Sequence, residues 1–436
     1  MTPTVERPTG VRHWVIVFAV SLAVITYVDR VVISRAAPSM MHDLGLDKRA
    51  FGWALFAFSW AYALFEIPGG FLGDLLGPRR VLVRVVLWWS FFTAATGWVW
   101  STASLVITRG LFGAGEAGCF PNLTKSFTTW LPPEERTRAQ SYTWLSARWG
   151  GAFTPPLVGY VMRRVGWRHA FEIFGCLGAV WAAVFWWWYR DDPRDNPRLN
   201  AAERELVRES ATMASGHGDV PWAKLLRSPQ VWLLCWQYFF LSYGWWFYIT
   251  WLPTYLVEGR HLTMRFSEWL AVLPLFFGGL GNPVSAFVGG LLVRWTGSVT
   301  LSRRIMGCTG FLGASGFLLF STTVHNPLYA MLAMAMASFS NDLVMPGAWA
   351  AAMDIGGKYA GTLSGAMNSW GNLGGGLAPL VIGYILHWSH ENWNLALYVS
   401  AAIYSLGVLC WLALDPVTPL EGSGAEGPTR STGQSG

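Results

Sequence analysis

The chain has 436 residues, 53% of them hydrophobic and only 13% charged, with a net charge of +6. A soluble domain carries about 25% charged residues, so the deficit excludes a soluble globular protein and leaves a polytopic membrane protein. The apolar stretches are continuous runs of about 20 residues, not alternating segments of about ten, which excludes an outer-membrane barrel.

Apolar runs and their breaks predict about twelve spans. They lie near 12–33, 51–74, 81–99, 104–129, 139–162, 168–189, 230–256, 267–293, 304–323, 327–350, 360–386 and 393–414. Arg190 to Pro229 differs in kind, being polar and rich in charge and proline. Within it Ala201 to Val207 predicts a short amphipathic helix with Asn200 as its cap. The expected organisation is an all-α polytopic fold. A six-helix N-terminal bundle occupies 1–190, a cytoplasmic linker 191–229, a six-helix C-terminal bundle 230–416 and a disordered tail 417–436.

Lys and Arg gather in the termini, the linker and the loops on one side, which puts both termini and the linker in the cytoplasm. The basic surplus is therefore an orientation signal, and no nucleic-acid partner is expected. Trp98, Trp100, Trp130, Trp167, Trp388 and Trp393 stand near span ends, as an interfacial belt requires. The five Cys are scattered singly with no metal spacing. The His residues lie mostly at span ends or in loops and form no catalytic constellation. No enzyme activity, metal or cofactor is expected.

The chemistry sits inside the spans. Asp29-Arg30 interrupts the first apolar run, and Arg109 and Glu116 recur in the Gly-rich fourth. Ionisable residues at membrane depth are expensive and mark functional sites. A carboxyl group in low dielectric takes up a proton nearer neutral pH, whereas an adjacent arginine opposes that. Two buried acids beside two buried bases suggest proton-coupled movement of an anion.

The halves repeat. Gly151-x-x-x-Pro155-x-x-x-Gly159-Tyr160 returns as Gly375-x-x-x-Pro379-x-x-x-Gly383-Tyr384, Gly69-Gly70 as Gly289-Gly290, and Phe120-Pro121 as Met345-Pro346, all at an offset of about 220 residues. Parallel repeats of this kind are a transporter architecture with the substrate between the halves. A channel, the competing reading, would need a pore with weak multi-site binding.

Gly70-x-Leu72-x-Asp74-x-x-Gly77-x-Arg79-Arg80 resembles the signature loop of the major facilitator superfamily. Asp74 can pair there with a base or with a helix N-terminus and latch the cytoplasmic face. Tyr27-x-Asp29-Arg30, Arg109-Gly110-x-x-Gly113-x-x-Glu116 and Trp130-Leu131-Pro132-x-x-Glu135-Arg136 resemble the anion:cation symporter family within it, as do Gly166-Trp167-Arg168 and Asp354 to Gly361. The resemblance runs from about Tyr27 to Tyr384. It implies a major facilitator fold in a bacterial inner membrane and proton-coupled uptake of an organic anion, often a sugar acid such as a hexuronate, aldonate or aldarate. Other carboxylates, sodium coupling and exchange are the nearer rivals.

By the same resemblance Asp29 and Glu116 carry the protons, and Arg30 binds the substrate carboxylate through its planar fork. Tyr27, Tyr62, Trp349 and Asn368 contact substrate, while Asp74, Arg79 and Arg109 serve the gate, Arg109 by pairing with Glu116. One stretch departs from the pattern: Ser146-Ala147-Arg148 stands where polyhydroxyl carriers place a Gln. Arg148 is expected as a second carboxylate ligand suiting a dicarboxylate, or as the partner of an acid such as Glu66 or Asp342. Lys125 is expected to snorkel toward the cytoplasm.

Overall fold

The computed structural model describes residues 7–46, 48–214 and 220–420. Most of the expected tail, 421–436, lies outside the described residues. The elements are α1 (Trp14–Leu44), α2 (Lys48–Leu76), α3 (Pro78–Thr96), α4 (Thr102–Glu116), α5 (Cys119–Trp130) and α6 (Pro133–Trp188). The linker carries α7 (Ala201–Ala214) and α8 (Trp222–Arg227). Then come α9 (Pro229–Thr250), the short α10 (Leu252–Thr254), α11 (Met264–Thr296), α12 (Val299–Thr323), α13 (Pro327–Gly356), α14 (Ala360–Trp388) and α15 (Trp393–Ala413).

Twelve spans follow from these elements once two are read correctly. The fourth span is broken into α4 and α5 at Ala117 and Gly118. Gly118 has φ 84°, and a Cβ there would stand 2.7 Å from the Cα of Gly69, so the break lets α2 press backbone to backbone. The fifth and sixth spans run through α6, interrupted at Gly166 with φ 78° and ψ 167°. Among the described residues, seven helical stretches are long and apolar enough to cross a membrane by length and composition. Several of the remaining helices carry the buried polar groups described below.

Each half packs in the same order. In the first, α1 lies on α6, α2 on α4, and α3 on α4 and α6; in the second, α9 lies on α14 and α15, α11 on α13, and α12 on α13 and α15. The halves then meet through reciprocal pairs, α2 with α14 and α6 with α11, with α13 also against α6. The sequence repeat is thus a repeat of packing, and the space between the halves lies near a pseudo-twofold axis.

Asn200 Oδ1 accepts the Glu203 N–H at 3.0 Å and starts α7. Glu203 in turn accepts from the Val11 and Arg12 amides at 3.1 Å and from the Arg12 guanidinium at 2.9 Å. The linker therefore docks on the N-terminal segment, and α7 also touches α5 and the turn Gly357–Tyr359. We call this end of the molecule the linker face. Of the six tryptophans expected at an interface, Trp98, Trp100 and Trp388 point outward, but Trp130, Trp167 and Trp393 are buried. Trp130 and Trp167 are held inward by indole hydrogen bonds to the Arg190 carbonyl and the Asp43 carboxylate.

Candidate functional site

A cavity of about 100 Å³ lies between the halves. Its N-half wall is Tyr27, Arg30, Tyr62, Phe120, Trp144 and Arg148, and Tyr238, Trp245, Trp246, Asn341, Asn368 and Asn372 face them. The walls are rich in aromatics, with tyrosine and serine hydroxyls, amides and two guanidinium groups as the polar elements.

Tyr27 and Arg30 are one helical turn apart on α1 and share its cavity face. Arg30 lies over the Tyr62 ring, 4.7 Å from its centroid, and its Nε donates to Glu116 Oε1 at 2.7 Å. The Arg30 side chain keeps 24% exposure, whereas that of Glu116 has none. The cation thus faces the cavity and its acid stands behind it. Glu116 Oε2 and Arg30 Nη2 have no hydrogen-bond partner among the described residues. Asp29 points the other way, into the bundle, where Trp89 Nε1 donates to its Oδ2 at 3.1 Å.

Arg109 does not make the expected pair with Glu116; Arg30 does. Seven residues along α4 separate Arg109 from Glu116, about 10 Å of axial rise, and Glu116 ends its helix facing α1. Arg109 instead lies fully buried over Phe112, 4.1 Å from the ring centroid, and 5.1 Å from that of Phe58. Cation–π contact supplies part of the stabilisation that a carboxylate would.

Arg148 is held by Asp342 of the other half. Its Nε and Nη2 donate at 2.8 and 2.9 Å to the two carboxylate oxygens, and Asn282 and Asn341 donate to the same oxygens at 3.0 and 2.9 Å. The guanidinium also stacks on Trp245, 3.3 Å from its centroid. Trp349 does not line the cavity. It is buried one layer back, bonded to the Tyr238 hydroxyl at 3.0 Å and packed on Phe120 and Trp144, which do line it. Asn368 donates across the halves to Glu66 Oε1 at 2.8 Å.

Toward the linker face the halves are bonded shut. Asp74 lies twelve residues beyond Tyr62 on α2, about 18 Å along the axis. It accepts the Gly361 N–H at 3.0 Å, the Thr362 N–H at 2.6 Å and the Thr362 hydroxyl at 2.7 Å. A carboxylate is thereby set on the first turn of α14, where unpaired amides and the helix dipole favour it. Lys125 does not snorkel outward: it is 3% exposed, 3.4 Å from Asp74 Oδ1, and donates to the Lys358 carbonyl. Asp354 is gripped by one arginine from each half, Arg136 at 2.6 Å and Arg303 at 2.7 Å. A Cβ on Gly70 would stand 2.2 Å from the Gly361 carbonyl oxygen, so α2 and α14 meet there through backbone alone. Arg79 stays within its own half, bonded to the Trp186 carbonyl and stacked on that ring at 4.1 Å.

Sequence reasoning gave no part to Arg136, Arg303 or Lys125 in this closure. The Glu135-Arg136 dipeptide after α5 and the lone Asp354 were the available signals, but their meeting is a long-range event.

The Major Facilitator Superfamily model matches residues 19–379. The chain is 33% identical over 417 residues to a probable sulfoacetate transporter, SauU, of Cupriavidus necator, covering 94% of this chain and 95% of that one. It is 30% identical over 433 residues to the probable galactarate/D-glucarate transporter GudP of Escherichia coli, covering 94% and 95%. In structure it resembles the proton:xylose symporter XylE, with a TM-score of 0.72 at 14% identity over 95% of this chain and 98% of that one. That likeness concerns the fold.

Proposed function

Since the chain belongs to the Major Facilitator Superfamily, whose members are transporters and not enzymes, we propose that it takes up an organic anion with protons, by alternating access between its two halves. The observation that carries this reading is the Arg30–Glu116 pair at the cavity wall. Arg30 has one fork and two claimants. An incoming carboxylate takes the guanidinium from the cavity side. Glu116 then loses its cation in a dry site, where an unpaired carboxylate is costly, and a proton neutralises it. Asp29, buried in the bundle and bonded to Trp89, is the second proton site. Anion and proton thus load together because each removes the other's obstacle.

Tyr27 and Tyr62 on one wall and Asn368 on the facing one offer hydroxyl and amide groups to a hydroxylated substrate. Trp349 acts on it through the aromatic layer in front. Arg148 becomes a second anion ligand only when Asp342 releases it. The substrate class we favour is a sugar acid. A shorter dianion is the second reading, favoured by the 100 Å³ cavity and by the SauU resemblance. With the linker face cytoplasmic, the latch of Asp74 on α14 and the Arg136–Asp354–Arg303 clamp hold the inner gate shut. The carrier then accepts substrate from outside and turns inward when these bonds break.

The test is a thermal-shift binding screen of aldonates, hexuronates, aldarates, aromatic acids and sulfoacetate, followed by uptake of the best binder into proteoliposomes under an imposed pH gradient. Accumulation that follows the gradient and collapses with a protonophore is expected. Uptake that follows a sodium gradient instead refutes proton coupling.

A further inference from the structure

One buried acid has no part in the scheme above. Glu66 lies on α2 one turn beyond Tyr62 and is 0% exposed. Its Oε1 accepts from Asn368 of the opposite half at 2.8 Å, and its Oε2 has no hydrogen-bond partner among the described residues. The groups that act on it are Arg30 from α1, Glu116 from α4, Cys119 from α5 and Tyr62 on its own helix; α14 presents the amide of Asn368. Arg30, the cation among them, is bonded to Glu116.

The charges at this depth do not balance. Arg30, Arg109 and Arg148 face four carboxyl groups, Asp29, Glu66, Glu116 and Asp342. Asp342 is taken by Arg148 and accepts four hydrogen bonds. Glu116 has Arg30, and Arg109 lies on Phe112 and Phe58. Of these four carboxyl groups, the two with no cation bonded to them among the described residues are Asp29 and Glu66; Asp29 lies inside one bundle against Trp89, whereas Glu66 sits on the contact between the halves. An isolated ionised carboxylate in low dielectric is far more costly than its neutral form.

Its position also makes it responsive. A Cβ on Gly365 would stand 2.9 Å from the Glu66 carbonyl oxygen, so α2 and α14 are in backbone contact around it. Asn368 and Tyr62, which flank it, both line the cavity. Glu66 is therefore sealed by the contact between the halves, one residue behind the substrate.

We propose that Glu66 is a further proton site of the transport cycle, resting on the proton-coupled reading above. A proton enters from the cavity and forms an O–H bond on the free carboxylate oxygen while α2 and α14 are closed over it. When the halves part on the linker face, water reaches Glu66 and takes the proton to that side. Each turnover moves one proton more than Glu116 and Asp29 alone account for.

The experiment measures the proton-to-substrate ratio from reversal potentials in proteoliposomes, using the best binder of the screen, for wild type, Glu66→Gln and Glu66→Asp. Glu66→Gln keeps an acceptor for Asn368 and fixes the neutral form. The expected ratio is lower by one proton in Glu66→Gln and unchanged in Glu66→Asp, with substrate binding retained in both. An equal ratio in wild type and Glu66→Gln overturns the assignment while leaving coupling through Glu116 and Asp29 intact. A ratio lowered equally in both variants also overturns it, since the carboxyl would then act only through packing. No proton flux in wild type refutes the proton-coupled reading itself.

Discussion

Asp342→Asn tests how the cavity counts substrate charge. Four hydrogen bonds converge on Asp342, two of them from Arg148. The amide cannot accept both guanidinium bonds and carries no charge, so Arg148 is left as a buried cation on the cavity wall. Removing one partner of a buried ion pair costs about 3–5 kcal/mol, so the substrate-free variant should melt well below wild type. A substrate whose far end carries a second carboxylate supplies the missing anion. Hydrogen bonds to a charged group contribute about 1.5–3 kcal/mol, and about 1.4 kcal/mol is tenfold in affinity. The affinity ratio of an aldarate to its matched aldonate should therefore rise roughly ten- to a hundredfold over wild type. The aldarate should also recover most of the lost melting temperature. Isothermal titration with the matched pair, in wild type, Asp342→Asn and Asp342→Asn with Arg148→Ala, reads this directly. The double variant should lose the gain. An unchanged ratio in Asp342→Asn would show that Arg148 does not face the substrate, and the reasoning would be wrong.

Arg30→Lys keeps the charge but not the fork, and should weaken carboxylate binding by tenfold or more in the same titration; near-normal affinity would remove Arg30 from the site. Glu116→Gln fixes a neutral side chain beside Arg30. It should bind substrate and exchange it while losing proton-driven accumulation, read as substrate-induced alkalinisation in proteoliposomes; an undiminished proton signal would make Glu116 structural. Gly70→Ala places a methyl against the Gly361 carbonyl. It should prevent closure of the linker face, slow uptake at least tenfold and raise thiol labelling of a cysteine introduced at Thr362; wild-type labelling and uptake would show that the two backbones separate at no cost.

The parts of this molecule that were legible are those whose cause is local. Spans follow from hydropathy, the halves from a repeat of glycines and prolines, and Asn200 from the chemistry of one helix start. Charged residues in apolar runs are equally local, so Asp29, Arg30, Arg109, Glu116 and Arg148 stood out. Their pairings did not. Arg30 and Arg109 are both within reach of Glu116 on paper, and only the angle between α1 and the end of α4 decides. Arg148 and Asp342 come together because α6 crosses α13 between halves, which periodicity does not encode. Lys125 looked like a snorkelling residue because a lone lysine in a span usually is one. It is instead buried at the contact between the halves because Asp74 and the Lys358 carbonyl arrive from elsewhere. Trp349 fell one layer behind the wall because this chain crowds aromatics around the cavity, and no sequence signal ranks one tryptophan in front of another.

The closed face is fastened largely by main-chain atoms. Asp74 grips amides, Lys125 a carbonyl, and Gly70 touches Gly361 with no side chain between. Such fastenings are indifferent to what fills the cavity about 18 Å away along α2. The wall residues can therefore drift, exchanging one amide or ring for another, without disturbing the door. New diets become reachable by a few pocket changes on an unaltered chassis, and the same separation makes this chain a practical starting point for redirecting transport to other substrates.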